Sequence, residues 1–225
     1  MRKIFFLIKW VYLRIDNKIK FKKKLISADE YELKRIFLRR YQRFGGDFFY
    51  QSYPPLKLRG ERPTDIRFKT YKLGDHLDKS KVVLDVGGNT GFFSAYISGF
   101  VKNVDIIELN NQLVRVGEKL FEKEHISNVK YVGSDFKNFS ANYKYDIILS
   151  FAVHRWVGIS FNDYILKIKS FLKPDGLLLI ESQDVKQDNL LDKLNGVKNL
   201  FEIVSSGETS DHMGLQRTFY YLKQT

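Results

Sequence analysis

Val83-Leu84-Asp85-Val86-Gly87-Gly88-Asn89-Thr90-Gly91-Phe92-Phe93 is the stretch on which the fold turns. A β-branched run over residues 81–86 ends in an acid, a glycine-rich turn follows, and a helical pattern occupies residues 92–97. Glycines in such a turn allow positive φ and let backbone approach a ligand at the carboxyl edge of a parallel sheet. Taken alone, the turn also suits a dinucleotide site or a purely structural tight turn.

The alternation continues on both sides of this stretch. Strand patterns fall at residues 104–108, 129–132, 145–151 and 177–181, and helical patterns at 112–124 and 164–172. Strands that alternate with helices predict a doubly wound α/β fold with a mostly parallel sheet covered on both faces. In the tail, residues 201–205 and 218–222 read as two strands closing an edge hairpin, with His212 in the polar stretch between them. Upstream, residues 29–43 read as a helix with acids near its start and arginines near its end, built on Leu33, Ile36, Phe37 and Tyr41 and stopped by Gly45-Gly46. Residues 50–67, broken by Pro54-Pro55, Gly60 and Pro63, read as an ordered loop.

Two further acids stand at strand ends. Glu108 closes the second strand, roughly twenty residues after the loop, where a carboxylate can accept both ribose hydroxyls of an adenosine. Asp135 follows the third strand in Gly133-Ser134-Asp135-Phe136, a position suited to an adenine amine. Each acid alone could equally be a cap or a solvated strand end. As a set in chain order they resemble the class I S-adenosylmethionine (SAM)-dependent methyltransferases, over roughly residues 60–225, with residues 1–59 as a basic helical extension and connecting loop. The resemblance implies SAM as cofactor and a seven-stranded sheet whose last strand is antiparallel. It also implies that Asp85, Gly87, Asn89 and Gly91 match the family's Asp-x-Gly-x-Gly-x-Gly loop. Asn89 replaces the middle glycine, and asparagine tolerates left-handed geometry better than most residues. A NAD-linked dehydrogenase is the nearest rival, but it would leave Asp135 without a task and would set a pyrophosphate against Asp85.

Arg62-Pro63-Thr64-Asp65-Ile66-Arg67 resembles an Arg-x-Thr-x-x-Arg element that precedes the SAM fold in several glycan-locus and tRNA-wobble methyltransferases. Arg67 could hold the SAM carboxylate, or an acid on the acceptor, bidentately. The plainer alternative is a helix start at Thr64 or Asp65 with the arginine facing water. After the fourth strand comes Ala152-Val153-His154-Arg155-Trp156, where the family places the transferring methyl and the acceptor. His154 is the candidate general base, against a packing histidine beneath the cofactor.

Composition narrows the chemistry. The absence of cysteine excludes disulfides, thiolate zinc sites and a cysteine nucleophile, and the four histidines (His76, His125, His154, His212) show no metal-helix spacing, so no metal site is predicted. Of a formal charge of +12, residues 1–43 hold +10, with fourteen Lys and Arg against four Asp and Glu. There Ile4, Ile8, Val11, Ile15 and Ile19 recur at three- and four-residue steps among Arg2, Lys9, Lys18, Lys20 and Lys22 to Lys24, the pattern of a basic amphipathic helix. Its longest fully apolar run is too short to span a bilayer and lacks signal-peptide features, which predicts a cytoplasmic protein. The helix can pack on the domain, lie on an anionic membrane surface or grip nucleic acid. Phe5, Phe6, Trp10, Tyr12 and Phe21 tilt it toward the membrane. The expected acceptor is a saccharide or other small or lipid-linked molecule, methylated on oxygen at the inner membrane face. The alternative is an RNA methyltransferase using the basic arm, less favoured because the rest of the chain is near neutral. An inactive SAM-fold scaffold is disfavoured by the intact Asp85, Glu108 and Asp135.

Overall fold

The computed structural model describes residues 2–39, 48–133, 135–185, 188–210 and 214–225, with side chains from residue 7 onward. The side chains of Arg2, Ile4, Phe5 and Phe6, and all of Tyr41, Gly45, Gly46, Ser134 and His212, therefore lie outside the described residues.

Seven strands form one sheet: β3 (Val82–Val86), β4 (Asn103–Ile107), β5 (Val129–Gly133), β6 (Tyr145–Phe151), β7 (Leu172–Glu181), β8 (Phe201–Ser210) and β9 (Gln216–Gln224). A two-stranded parallel piece, β1 (Phe49–Gln51) and β2 (Gly60–Arg62), precedes them. The order across the large sheet is β5-β4-β3-β6-β7-β9-β8, and β9 alone runs against its neighbours. The helices are α1 (Arg2–Lys22), α2 (Ala28–Phe37), α3 (Thr64–Thr70), α4 (Phe92–Ile97), α5 (Asn111–Lys123), α6 (Phe161–Phe171) and α7 (Leu190–Asn195). This is the expected doubly wound α/β fold.

The period of two along each strand sorts the core into two layers. Val83, Ile147, Leu149 and Leu179 face the side of α4 and α5, while Leu84, Ile148, Leu178 and Ile180 face α6 and α7. The tail differs from a simple edge hairpin. Phe219 and Tyr221 reach one layer and Tyr220 and Leu222 the other, so β9 is apolar on both faces and sits inside the sheet, leaving β8 at the edge.

Two upstream expectations need correction. The second helix ends at Phe37, and the indole Nε1 of Trp10 donates to the freed Leu38 carbonyl (2.8 Å). Residues 50–67 are more ordered than a loop: they hold β1, β2, a 3₁₀ turn at Pro54–Leu56 and the start of α3. Gly60 makes this possible, because a Cβ there would fall 2.1 Å from the Gln51 carbonyl carbon across the β1–β2 pair.

A buried ion pair ties this upstream piece to the sheet. Arg62, at the end of β2, donates from Nη1 to Glu181 Oε2 (2.9 Å) and from Nη2 to Oε1 (2.6 Å) at the end of β7. Both side chains are buried. Removing one partner strands a charge in the interior, so Arg62→Met should lower unfolding stability by about 3–5 kcal/mol in urea titrations. Arg62→Met with Glu181→Leu should cost clearly less than the two single changes added together. Additive losses would show that the pair is not coupled.

Candidate functional site

The same alternation that builds the core gathers polar side chains at the carboxyl ends of the strands. Asp85 on β3, Phe151 on β6 and Glu181 on β7 share parity with the residues facing α4 and α5, and Glu108 follows one residue after β4. Arg67, in α3, lies over this group. Its guanidinium carbon sits 4.6 Å from the Phe151 ring centroid and 5.1 Å from that of Phe93, and its Nε donates to Tyr71 Oη (2.9 Å). Tyr71 Oη donates in turn to Glu181 Oε1 (2.7 Å). Arg67 is 2% exposed, which rules out an arginine facing water, and its Nη2 is buried without a hydrogen-bond partner, 3.8 Å from Glu181 Oε2.

Electrostatics at this edge follow from burial. Burial opposes ionisation of Glu181, but Arg62, with Arg67 and Arg217, brings its carboxyl down to about 2. Asp85 has a weaker counterweight. Burial pushes its carboxyl up to about 6, against a hydrogen bond from Ser94 Oγ (2.5 Å) and the charge of Arg67. Burial also raises the Glu108 carboxyl, while backbone amides pull it back. Those of Asn89 and Asn110 donate to Oε2 (2.9 Å) and Oε1 (2.8 Å).

The loop has the geometry its sequence requires. Gly87 and Gly91 have φ of +72° and +66°, and Asn89 is left-handed at +57°. A Cβ on Gly87 would meet Val153 Cγ2 at 2.4 Å. The Gly87 and Gly88 amides both donate to the Ile107 carbonyl, and Tyr131 Oη donates to the Asn89 carbonyl (3.1 Å). At the start of α4, the amides of Phe92 and Phe93 donate to Gln51 Oε1 at 3.1 and 3.4 Å. A pyrophosphate would need those amides, so Gln51 argues against the dinucleotide alternative.

Beyond Glu108, a cavity of about 320 Å³ is lined by Leu109, Asn110, Asn111, Gln112 and Arg115, with Leu109 71% exposed beside it. Asp135 stands after β5, where its carboxylate accepts the Lys137 amide at Oδ1 (3.0 Å) and Asn138 Nδ2 at Oδ2 (2.8 Å). Asp85, Gly87, Asn89, Gly91, Glu108 and Arg67 are thus brought together, and Asp135 is held by its own turn.

His154 lies apart, on the α6 side of the sheet. It is buried against Phe161 and Tyr164, with Nε2 3.2 Å from the Asp188 carboxylate and Nδ1 buried without a hydrogen-bond partner. Asp188 also accepts Lys193 Nζ (2.6 Å) and the Gln183 amide (3.1 Å). Burial would raise the Asp188 carboxyl, but His154 and Lys193 hold it well below the usual carboxylate range. Among the described residues there is no cluster able to hold a metal ion.

Sequence reasoning missed Gln51, Arg62, Tyr71, Glu181 and Asp188. Glu181 carried a usable signal, an acid closing an apolar strand like Asp85 and Glu108, and Arg62 opened the motif that ends at Arg67.

Comparison with known proteins bears on the fold and the family. The family described as "Methyltransferase domain" matches residues 58–213, well over half of the chain. A malonyl-[acyl-carrier protein] O-methyltransferase of Ilyobacter polytropus is 30% identical over 117 residues, 49% of this chain and 44% of that protein, so the chain spans less than half of that relative's length. Among solved structures, an rRNA methylase from Streptococcus thermophilus superposes with a TM-score of 0.57 at 18% identity, covering 71% of this chain and 95% of that one. SMU.1697c from Streptococcus mutans, solved in complex with SAH, gives 0.54 at 17%, covering 71% and 97%. These likenesses establish a shared fold. With the family match over the strands and loops just described, the chain belongs to the methyltransferase-domain family, whose cofactor is S-adenosyl-L-methionine.

Proposed function

We propose that the protein transfers a methyl group from SAM to an oxygen of a saccharide or other small or lipid-linked acceptor at the cytoplasmic face of a membrane. The observation that carries the cofactor half is the edge group of buried Asp85 and Arg67 with half-buried Glu108. SAM has an amino-acid end with one cation and one carboxylate, and a ribose with two hydroxyls. The Nη2 of Arg67, which makes no hydrogen bond, suits the carboxylate, Asp85 suits the ammonium, and Glu108 has lone pairs beyond its two amide bonds for the hydroxyls. Gly87, Asn89 and Gly91 let the loop backbone come close, the cavity beside Leu109 suits the base, and Asp135 retains acceptor capacity for its amine. When bound, SAM supplies an electrophilic methyl on a sulfonium.

For an acceptor hydroxyl, His154 would take the proton once the acceptor reaches its buried ring, because the adjoining Val153 packs against Gly87 and so sets this loop beside the cofactor turn. An ionised Asp188 favours the tautomer with hydrogen on Nε2, which leaves a lone pair on Nδ1. Oxygen as the acceptor atom accords with the O-methyltransferase relative.

Tracing tritium from labelled SAM through lipid, saccharide, RNA and protein fractions of an extract tests the acceptor class. Label in a lipid-linked or small-molecule fraction is expected, and label confined to RNA would overturn it.

Cofactor binding should depend on pH in a specific direction. The ammonium needs Asp85 ionised, and its carboxyl titrates at about 6 in the free protein. Affinity for SAH measured by calorimetry should therefore be flat from pH 8 to near 6.5 and fall below pH 6, approaching tenfold per pH unit, because a proton must then be expelled on binding. Glu108→Ala should weaken binding by about 1–3 kcal/mol. Absence of binding at millimolar ligand, with NAD binding instead, would refute the site.

His154→Gln and Asp188→Asn should each lower the rate of label transfer by about 10²–10⁴-fold, with SAH affinity within about twofold of wild type. If affinity or the cooperative melt is lost together with activity, His154 is a packing residue.

A further inference from the structure

Periodicity in the N-terminal helix marks an apolar face of Ile8, Val11, Ile15 and Ile19, yet α1 does not pack through it. Its contacts with the domain come from the other side. Leu13 and Asn17 are buried, Trp10 bonds the Leu38 carbonyl, and Phe21 stacks on Tyr31 with centroids 4.3 Å apart. The isoleucine face points to solvent, with Ile8 64%, Tyr12 62% and Ile15 54% exposed. A helix already seated on its domain gains nothing from such a face unless something covers it.

Charge identifies the occupant. Arg14, Lys18, Lys22, Lys23 and Lys24 are exposed along and beyond the apolar stripe, with no exposed acid within α1. Of the aromatics that suggested a membrane, Trp10 and Phe21 pack on the domain instead, and Tyr12 stays on the outward face. That largely aliphatic face bordered by lysines matches the boundary of an anionic bilayer, where the helix lies in the plane of the surface. It is too polar to cross: no helix among the described residues is long and apolar enough to span a membrane.

Position links the face to the site. Phe21 of α1 meets Tyr31 near the start of α2, and Trp10 meets its end, so the two helices are antiparallel. Lys123 of α5 pairs with Asp29 and Glu32 of α2, while Gln112 bonds the Ile36 carbonyl, so α2 is antiparallel to α5 as well. The first half of α1 therefore lies toward the carboxyl edge that carries Asp85 and Glu108.

We propose that the outward face of α1 docks the enzyme on an anionic lipid surface with the cofactor edge near the headgroups. This deepens the reading of a lipid-linked acceptor by naming the surface that would meet the membrane. It can fail without touching the methyltransferase assignment, since docking is measured without SAM.

The test is sedimentation of the full chain with phosphatidylcholine vesicles, with and without phosphatidylglycerol, with SAH affinity measured in parallel on every variant. Wild type should partition to the anionic vesicles about tenfold or more over neutral ones, and salt should weaken this only in part. Ile8→Glu with Ile15→Glu should reduce partitioning about tenfold, and Lys18→Glu with Lys22→Glu should remove the anionic preference. SAH affinity should be unchanged in both. Equal sedimentation with both vesicle types overturns the proposal. So does concentration-dependent dimerisation abolished by the isoleucine changes with no effect on vesicles, which would mean a second copy covers the face. Tight tRNA binding with a steep salt slope that vesicles do not compete would likewise overturn it, in favour of nucleic acid.

Discussion

The bidentate pair between Arg62 and Glu181 is the interaction on which the site depends. A carboxylate buried at the end of β7 cannot stay ionised without a fixed counter-charge, and Arg62 supplies it at 2.6 and 2.9 Å. Because Arg62 closes β2, the pair also anchors the upstream segment over the carboxyl edge of the sheet. That anchoring sets where α3 begins and so where Arg67 falls. Glu181 is then shared: Tyr71 donates to Oε1, Arg67 donates to Tyr71, and one guanidinium nitrogen of Arg67 is left without a hydrogen bond.

Around that keystone the strand period does the sorting. Asp85 and Glu181 occupy one face of the sheet, while Ser150 and Tyr164 hydrogen-bond on the other. The two acids differ in titration because their partners differ. Glu181 has Arg62 in direct contact, whereas Asp85 has a serine hydroxyl and a more distant arginine, so burial dominates there. An acid poised near neutrality and short of a cation is suited to a ligand that brings one. His154 with Asp188 and Lys193 forms a second, separate polar group on the α6 side.

The acids and glycine turn of the carboxyl edge were largely legible because their signals are local. A strand ending in an acid, glycines where φ turns positive and a further acid after the next strand are all written within residues 83–108, and Asn89 adopts the left-handed geometry its residue type permits. What was hidden depends on contacts distant in sequence. Arg62 and Glu181 are 119 residues apart, and Gln51 caps α4 from 41 residues upstream. The continuous apolar run Phe219-Tyr220-Tyr221-Leu222 carried the signal of a strand covered on both faces, but which two strands β9 pairs with is set by contacts distant in sequence. For α1, periodicity revealed an apolar face but not its direction. The packing falls to Leu13, Trp10 and Asn17, and the isoleucines are turned outward.

In the proposed site, the Arg62–Glu181 anchor presents Arg67 to the carboxylate of the cofactor. The most direct measurement compares affinities for SAH and for 5′-methylthioadenosine, which lacks the amino-acid end, in wild type and Arg67→Met. Wild type should strongly prefer SAH, and Arg67→Met should remove most of that preference while leaving 5′-methylthioadenosine binding unchanged. Equal weakening of both ligands, or of neither, would contradict it.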